Sequence, residues 1–417
     1  MRKLRCGGPV AALALATACM SAELAEAPSC AGWTGIWASS QQLVEPHNEV
    51  PVRPLENFTL RQTVRTYHAG DRVRLRFSNE FGEGPLVIGS ASLALADAAG
   101  APGVVDGSLQ AVTFSGRRGI TIPEGAAYYS DPLDFAVPED ADLSVSLHVV
   151  SAPARQSGHP GSRTTSFHVQ GAATDVDEFG AASSLDHWYY LAGVDVFSSD
   201  VSASVGVIGD SITDGRGSTT NGNDRWTDFL AEALAPNGVS VLNFGLGGNR
   251  MLKDGLGPNV LARIDRDVLA QSNLRYLIVY EGVNDFGTHA RGGGVTEASR
   301  IALIEDLKAA FTQVVERAHA HGIRVYGATI APYGSSGIYP FNEEVERGRQ
   351  DLNDWIRTSG TFDAVIDFDV VLRDPAAPMS LNPAFDVGDG LHPSVAGFEA
   401  MAAAISPDLF PAPAACD

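Results

Sequence analysis

Ser211 and His392 lie far apart in the chain, and their types and surroundings point directly to chemistry. Ser211 follows the apolar run Val205 to Ile208 and a glycine–aspartate pair, so it stands where a buried strand ends. Open α/β sheets place their reactive groups at such strand ends. A serine hydroxyl needs a base that takes its proton and a third group that holds the base. His392 and Asp389 can supply both from one loop, which makes Ser211 the candidate nucleophile.

Two further loops follow apolar runs that predict strands of the same sheet. Asn243 to Arg250 is a glycine-rich stretch at the end of the run Val239 to Phe244, and Glu281 to Asp285 follows the run Leu274 to Tyr280. The carboxyl ends of parallel strands meet at one edge of a sheet. We therefore expect these two loops to converge with the loops that carry the serine and the histidine.

These four blocks, in this order, resemble the motifs of the SGNH (GDSL) hydrolase family. Gly209-Asp210-Ser211 matches the first block, and Gly248 matches the second. Gly282-Val283-Asn284-Asp285 matches the third, and Asp389 to His392 matches the last. Four ordered blocks over the last half of the chain make the resemblance specific, whereas a single Gly-Asp-Ser tripeptide is usually a turn.

The resemblance implies a role for each matched residue. Ser211 is the nucleophile, His392 is the general base and then the general acid, and Asp389 orients the imidazole. The oxyanion hole consists of the backbone N–H of Ser211, the N–H of Gly248 and the side-chain amide of Asn284. No cofactor is required for this chemistry, and the sequence contains no histidine and cysteine cluster with metal-ligand spacing.

The rest of the sequence predicts an α/β protein in which an SGNH-hydrolase-like parallel sheet, flanked by helices, follows an antiparallel β-sandwich. Residues 28–199 form the β-sandwich domain, because apolar and polar residues alternate there between turn signals. Residues 200–417 form the catalytic domain, in which helical patterns separate five apolar runs. The predicted strands of that sheet are Val205–Ile208, Val239–Phe244, Leu274–Tyr280, Ile323–Ile330 and Ala364–Phe368. Asp224 is expected to cap the first long helix, and Glu343–Thr358 is another predicted helix.

The first 27 residues have the layout of a secretory signal peptide. Basic residues at positions 2, 3 and 5 precede the apolar segment Pro9 to Met20, and the small-residue site Ala25-Glu26-Ala27 follows it. The prediction is a secreted or periplasmic protein, with a lipoprotein anchored through Cys19 as the alternative. The apolar segment is too short for a permanent membrane span, and no other stretch predicts one.

The four cysteines are Cys6, Cys19, Cys30 and Cys416. Cleavage after the signal peptide removes the first two, and the remaining pair predicts a disulfide between Cys30 and Cys416. Two unrelated surface thiols are the alternative. The formal net charge of −21 in 417 residues makes nucleic acid an unsuitable partner, since phosphate backbones repel such a chain.

The predicted function is hydrolysis of carboxylic esters, through an acyl-enzyme, by a secreted serine esterase. Arg225-Trp226 and the two glycine-containing loops are most similar to the xylanase-associated acylesterase branch, which implies acyl groups, acetyl above all, on plant polysaccharide. A lipase or arylesterase of the same fold, acting on lipids or small esters, is one alternative. A carbohydrate-binding protein with an inactive hydrolase domain is another. A glycosidase with Glu281 and Asp285 as its acid pair is disfavoured, because both flank Asn284 and fit a scaffold role better.

Overall fold

The computed structural model describes residues 31–411, so the predicted signal peptide and all four cysteines lie outside the described residues. Between residues 31 and 199 the structure is built of β-strands whose inward side chains are apolar. These strands are β1 (Gly32–Ala38), β2 (Gln42–Leu43), β3 (Glu56–Thr66), β4 (Gly70–Ser78), β5 (Leu86–Leu95), β6 (Gln110–Val112), β7 (Ile120–Ile122), β8 (Ala127–Tyr129), β9 (Leu133–Val137), β10 (Ala141–Ser151), β11 (Ser157–His159), β12 (Ser166–Gln170), β13 (Ser183–Leu185), β14 (Trp188–Tyr189) and β15 (Leu191–Ser198).

Two antiparallel sheets of these strands pack face to face. One has the order β1-β15-β4-β8, with β9 also on β4, and the other has the order β13-β12-β3-β10-β5-β6, with β7 also on β5. Strand β4 buries Val73, Leu75 and Phe77 in the same apolar cluster that receives Leu143 and Val145 from β10 of the other sheet. This shared core confirms the predicted β-sandwich. A small third sheet, β14-β11-β2, carries the loops that approach the catalytic half.

The second half alternates strands and helices. Its strands are β16 (Ala203–Gly209), β17 (Val239–Gly245), β18 (Leu274–Tyr280), β19 (Arg324–Ala328) and β20 (Ala364–Ile366). Its helices are α1 (Ser211–Asp214), α2 (Trp226–Leu234), α3 (Val260–Ile264), α4 (Val283–Arg291), α5 (Glu297–His319), α6 (Glu343–Thr358), α7 (Phe368–Leu372) and α8 (Val395–Ala403). Within residues 31–411, no helix is long and apolar enough to cross a membrane.

The five strands form one parallel sheet in the order β17-β16-β18-β19-β20. Separate apolar clusters cover its two faces, so strand β16 is buried along its whole length and can be composed of apolar and small residues. The predicted α/β class is thereby confirmed. The chain leaves β16 toward β17 on one side, whereas β18 lies on the other side. The crevice at the carboxyl end of β16 and β18 is therefore a topological switch point, where open α/β sheets bind their ligands.

The change from antiparallel to parallel pairing falls between Ser198, where β15 ends, and Ala203, where β16 begins. Direct hydrogen bonds join the two halves: the Gly35 N–H donates to the carbonyl of Ser272 at 3.2 Å, and the Ser240 hydroxyl donates to the Gly35 carbonyl at 2.5 Å. The β-sandwich is thus seated on the α/β sheet along strand β1.

Candidate active site

Ser211 is the first residue of α1, and it follows strand β16 after a single intervening residue, Asp210. Its Oγ lies 2.8 Å from Nε2 of His392, and Nδ1 of His392 lies 2.7 Å from Oδ2 of Asp389. Such a chain of hydrogen bonds lets the imidazole accept the serine proton while the carboxylate holds the ring in the required tautomer. The structure therefore brings together the three residues that the sequence assigns to nucleophile, base and orienting acid.

The Asp389 carboxylate is held by the backbone of its own loop. Its Oδ1 accepts the N–H groups of Leu391 at 3.0 Å and His392 at 2.9 Å, which leaves Oδ2 for the imidazole. The neighbouring Asp386 carboxylate accepts three further N–H groups, from Gly388, Asp389 and Gly390. This network fixes the distance between the acid and the base before any substrate binds.

The environment tunes both groups toward their tasks. Partial burial disfavours ionisation of Asp389, but hydrogen bonds from the backbone and ring of His392 outweigh it and lower the pKa of Asp389. Burial lowers the pKa of His392, and the positive charges of Arg216 and Arg163 lower it further, against the opposing effect of Asp389. A histidine with a lowered pKa is neutral at neutral pH and can accept a proton.

Gly248 and Asn284 line the same cavity as Ser211 and His392. Gly248 has φ +68°, a left-handed conformation that glycine adopts at little cost. Ser211 lies in the first turn of α1, where backbone N–H groups have no partner within the helix. The structure thus places all three residues that the sequence assigns to the oxyanion hole at the cavity that contains the reactive hydroxyl.

Tyr339 fixes the orientation of the Asn284 amide, and sequence reasoning missed this residue. The Tyr339 hydroxyl donates to Oδ1 of Asn284 at 2.6 Å, while Nδ2 of Asn284 donates one hydrogen to the carbonyl of Asn249 at 2.8 Å. An amide nitrogen carries two hydrogens, so one remains available for an oxyanion. No local motif marks Tyr339, because it reaches the site from a loop far along the chain.

Asp285 holds the glycine-rich loop that contains Gly248 through backbone hydrogen bonds. Its carboxylate accepts the N–H of Met251 at 2.8 Å and that of Leu252 at 3.2 Å, and so anchors the segment that follows Gly248. Burial raises the pKa of Asp285 to about 6. Neither Asp285 nor Glu281 lines the cavity that contains Ser211, which supports the scaffold interpretation over a glycosidase pair.

Two more buried carboxyls lie behind the nucleophile. Asp210 caps α1 by accepting the N–H of Ile212 at 2.9 Å, and burial raises its pKa to about 7. Burial and the charge of Asp210 raise the pKa of Glu281 well above its usual range. Arg263 is fully buried. Its guanidinium donates to the carbonyls of Gly209 and Phe244 and to the carboxylate of Asp267.

The cavity at the nucleophile has a volume of about 430 Å³, and both halves of the chain line it. The β-sandwich half contributes Gln42, Glu45, His47, Asn48 and the segment from His159 to Arg163. His159 is buried, and its Nε2 lies 2.8 Å from Oδ1 of Asp214, the last residue of the nucleophile helix. No sequence pattern predicts this wall, since it forms only when the two halves pack together.

A parallel α/β sheet with a hydrogen-bonded serine, histidine and aspartate at its carboxyl edge is the architecture of a serine hydrolase. Residues 207–400 match the model of the GDSL-like Lipase/Acylhydrolase family, so this part of the chain is a domain of that family and the protein is an ester hydrolase. The predicted family resemblance and enzyme class are confirmed. A comparison with curated protein sequences gives no match.

Several solved structures are similar to this chain. A G-D-S-L family protein from Desulfitobacterium hafniense DCB-2 is 21% identical over 48% of this chain and 97% of that one, with a TM-score of 0.37. A GDSL-like lipase from Bacteroides thetaiotaomicron VPI-5482 is 19% identical over 48% and 85%, with a TM-score of 0.36. The acetyl xylan esterase AlAXEase is 17% identical over 48% and 96%, also with a TM-score of 0.36.

Proposed function

We propose that the protein hydrolyses short acyl esters of carbohydrate through an acyl-enzyme formed on Ser211. The supporting observation is the chain of contacts Ser211 Oγ to His392 Nε2, 2.8 Å, and His392 Nδ1 to Asp389 Oδ2, 2.7 Å, at the wall of a cavity. Ser211 attacks the ester carbonyl while His392 takes its proton. The imidazolium then protonates the leaving alcohol, and the acyl group stays on the serine.

The second half of the cycle reverses these roles. His392 removes a proton from water, the resulting hydroxide attacks the acyl-serine, and the proton returns to Ser211 as the carboxylic acid leaves. In both steps the carbonyl oxygen becomes negative. The N–H groups of Ser211 and Gly248 and the amide of Asn284 are the donors that stabilise it.

The polar side chains on one wall of the cavity favour a small acyl group and a hydroxyl-rich alcohol. Its β-sandwich wall presents the polar side chains of Gln42, Glu45, His47 and Asn48. A long acyl chain gains about 0.8 kcal/mol for each methylene that it buries against apolar surface, and this wall offers little such surface. Acetyl groups on plant polysaccharide fit these requirements. Because the β-sandwich half supplies the polar wall, that half determines the substrate preference.

A lipase or arylesterase is the second candidate, because the apolar side chains of Leu246, Leu256 and Ile338 also line the cavity. A panel of acetylated xylan, 4-nitrophenyl acetate and 4-nitrophenyl palmitate separates these activities. Release of acetate from xylan at a kcat/KM above that for the aryl ester supports the proposal. A preference for palmitate makes the protein a lipase, and hydrolysis of the aryl ester alone makes it an arylesterase. Failure to hydrolyse any ester favours the inactive carbohydrate-binding protein.

Export by the segment of residues 1–27 belongs to the same proposal, since a polysaccharide substrate lies outside the cell. Mass spectrometry of the protein purified from culture medium or periplasm tests it. A mature N-terminus near residue 28 supports signal cleavage, whereas a lipid-modified N-terminal Cys19 supports the lipoprotein alternative.

A further inference from the structure

Two arginines from different halves of the chain stand beside His392. Arg163 lies between β11 and β12 of the β-sandwich half, and Arg216 follows the nucleophile helix α1. Both line the cavity that contains Ser211, and the charges of both act on the imidazole of His392. Any ester bound at Ser211 therefore lies near two guanidinium groups.

Neither guanidinium has a protein partner within residues 31–411. The side chains of Arg163 and Arg216 donate no hydrogen bond and form no ion pair with the part of the chain that the structure describes, and Nε of Arg163 is buried with no acceptor. A buried donor on a charged group is destabilising when it lacks a hydrogen-bond partner, so this nitrogen is suited to receive an acceptor from a ligand. Arg225, which does not line this cavity, differs because it pairs with Asp228 at 3.0 Å.

The backbone holds both arginines in place. Arg163 has φ +52°, an uncommon left-handed conformation for a residue with a side chain, and its carbonyl accepts the N–H of Asn221 at 2.9 Å. The N–H of Arg216 donates to the carbonyl of Ser211 at 2.8 Å, so its backbone is tied directly to the nucleophile. These contacts fix the backbone of both residues at the cavity, where the side chain of Arg163 is half-buried and that of Arg216 is exposed to solvent.

The carboxylates of the same cavity are engaged elsewhere. Glu45 accepts the amides of Gln42 at 2.8 Å and Asn48 at 3.1 Å, and Asp214 is paired with His159. A third cavity arginine, Arg291, donates to the carbonyl of Ile338 and lies over the ring of Tyr339. The chain as a whole has 50 acidic and 29 basic residues. The two unpaired guanidinium groups at the active site are therefore opposite in sign to the net charge of the protein.

We propose that Arg163 and Arg216 bind a carboxylate carried by the substrate, so that this enzyme prefers anionic esters. Guanidinium groups bind carboxylates through short, charge-assisted and often bidentate hydrogen bonds. The carboxylate belongs either to the acyl part or to the alcohol part, as in a sugar acid. This inference rests on the proposed esterase function and specifies its substrate class.

The test compares matched esters that differ in one carboxylate. Mono-4-nitrophenyl glutarate carries it on the acyl part and has 4-nitrophenyl valerate as its neutral reference. 5-Acetoxy-2-nitrobenzoate carries it on the alcohol part and has 4-nitrophenyl acetate as its reference. The ratio of kcat/KM, anionic to neutral, is measured at an ionic strength of about 0.1 M, where exposed charges beyond about 10 Å are screened. The proteins are the wild type, Arg163→Gln, Arg216→Gln and the control Arg118→Gln, which removes an exposed arginine of the β-sandwich half that does not line the cavity.

In the wild type, at least one of the two ratios is expected to be about tenfold above unity, the effect of one hydrogen-bonded charge pair. Each cavity variant should lower that ratio about tenfold, and Arg118→Gln should leave it unchanged. The arm that responds identifies whether the acyl or the alcohol part carries the carboxylate. Ratios at or below unity in the wild type, or a preference that survives both cavity substitutions, overturn the inference while hydrolysis of the neutral esters leaves the esterase function standing. If the wild type hydrolyses none of the four esters, the esterase function itself is contradicted.

Discussion

The contact between Ser211 and His392 makes the two side chains one functional unit, so removal of either should remove most of the activity. We expect Ser211→Ala and His392→Ala each to lower kcat about 10⁴-fold or more, and the double variant to be no worse than either single variant. A fluorophosphonate should label the wild type at Ser211 alone, as mapped by peptide mass spectrometry. Ser218→Ala is the control, because that hydroxyl of the same loop donates only to the Gly215 carbonyl. Labelling at another serine, or full activity of Ser211→Ala, contradicts the assignment.

The oxyanion role of Asn284 predicts a loss in kcat and little change in KM. Removing one such donor costs about 10²- to 10³-fold, or roughly 2.7 to 4 kcal/mol, because the amide acts on charge that exists only in the transition state. Tyr339→Phe removes the hydroxyl that orients this amide and should lower kcat by a smaller factor, about tenfold. Tyr333→Phe is the matched control, since the buried hydroxyl of Tyr333 has no hydrogen-bond partner among residues 31–411 and its ring packs against Tyr339. A rise in KM at constant kcat in Asn284→Ala makes this residue a substrate-binding group instead.

The lowered pKa of His392 predicts the pH dependence of kcat/KM. The base must be neutral, so activity should fall as the pH drops through the pKa of His392, and the inflection should lie below the usual value of 6.5. Arg216→Gln removes a positive charge that disfavours the imidazolium and should move the inflection to higher pH. The profile is measured with the neutral substrate 4-nitrophenyl acetate, and Arg118→Gln should leave it in place. An inflection above 6.5 in the wild type contradicts the environment described for this histidine.

At the scale of elements, the nucleophile helix is capped by a buried acid, Asp210, whose effect on stability is measurable. The pKa of Asp210 is raised to about 7, so between pH 4 and pH 7 the folded protein retains a proton that the unfolded chain has released. This carboxyl therefore makes the free energy of unfolding fall as the pH rises through that window, by up to about 1.4 kcal/mol per pH unit. Asp210→Asn keeps an acceptor for the Ile212 N–H and should show a smaller decrease between pH 5 and pH 7 in urea unfolding experiments.

Asp131→Asn provides the control for that slope. Hydrogen bonds from Gly116 and Thr113 lower the pKa of Asp131, so its contribution is complete above the unfolded value of about 3.8 and constant between pH 5 and pH 7. Its replacement should shift the curve without changing its slope in that window. If Asp210→Asn also leaves the slope unchanged, the buried carboxyl at position 210 is not the source of the pH dependence.

Periodicity predicted the strands of the parallel sheet well, and the differences at their ends have local causes. Helix α6 has the predicted bounds, Glu343–Thr358, whereas β19 ends at Ala328 and not at Ile330, whose N–H donates to the side chain of Asn353.

Asp224 does not cap α2. Its carboxylate accepts the Thr219 N–H, and Arg225 occupies the N-cap position. The side chain of Arg225 has no acceptor for the first N–H groups of the helix, and its own backbone N–H donates to Oδ2 of Asp228 at 3.0 Å.

Residues that act through space were beyond the reach of sequence patterns. Ser211, Asp389 and His392 could be predicted because each sits in a short motif at a strand end or loop. Tyr339 and Arg163 have no such motif, and their places at the site depend on how loops and halves of the chain pack together. The disulfide between Cys30 and Cys416 stays a prediction outside the described residues, and non-reducing peptide mapping tests it.

At the scale of the whole molecule, one buried contact joins the β-sandwich half to the nucleophile helix. Nε2 of His159 lies 2.8 Å from Oδ1 of Asp214, Nδ1 lies 2.8 Å from the Ser40 carbonyl, and both side chains are more than nine-tenths buried. Both ring nitrogens thus lie within hydrogen-bond distance of an oxygen, one on each half of the chain. Removal of one partner leaves the other without its hydrogen bond beside the active site.

We therefore expect His159→Ala to lower the free energy of unfolding by about 3 kcal/mol, the lower end of the range for breaking a buried pair. Asp214→Asn in the same protein should recover part of that loss, because it removes the uncompensated charge; a double-mutant cycle measured by urea unfolding gives the coupling. The control is His319→Ala, which breaks a His–Asp contact of the same 2.8 Å length to Asp363, with side chains 44% and 35% exposed, and should cost less than about 1 kcal/mol. If the two histidine variants lose equal stability, or if the double variant shows no recovery, this contact does not couple the halves. A single unfolding transition that shifts as a whole in His159→Ala shows that the β-sandwich stabilises the nucleophile helix, whereas two separate transitions show that each half folds alone.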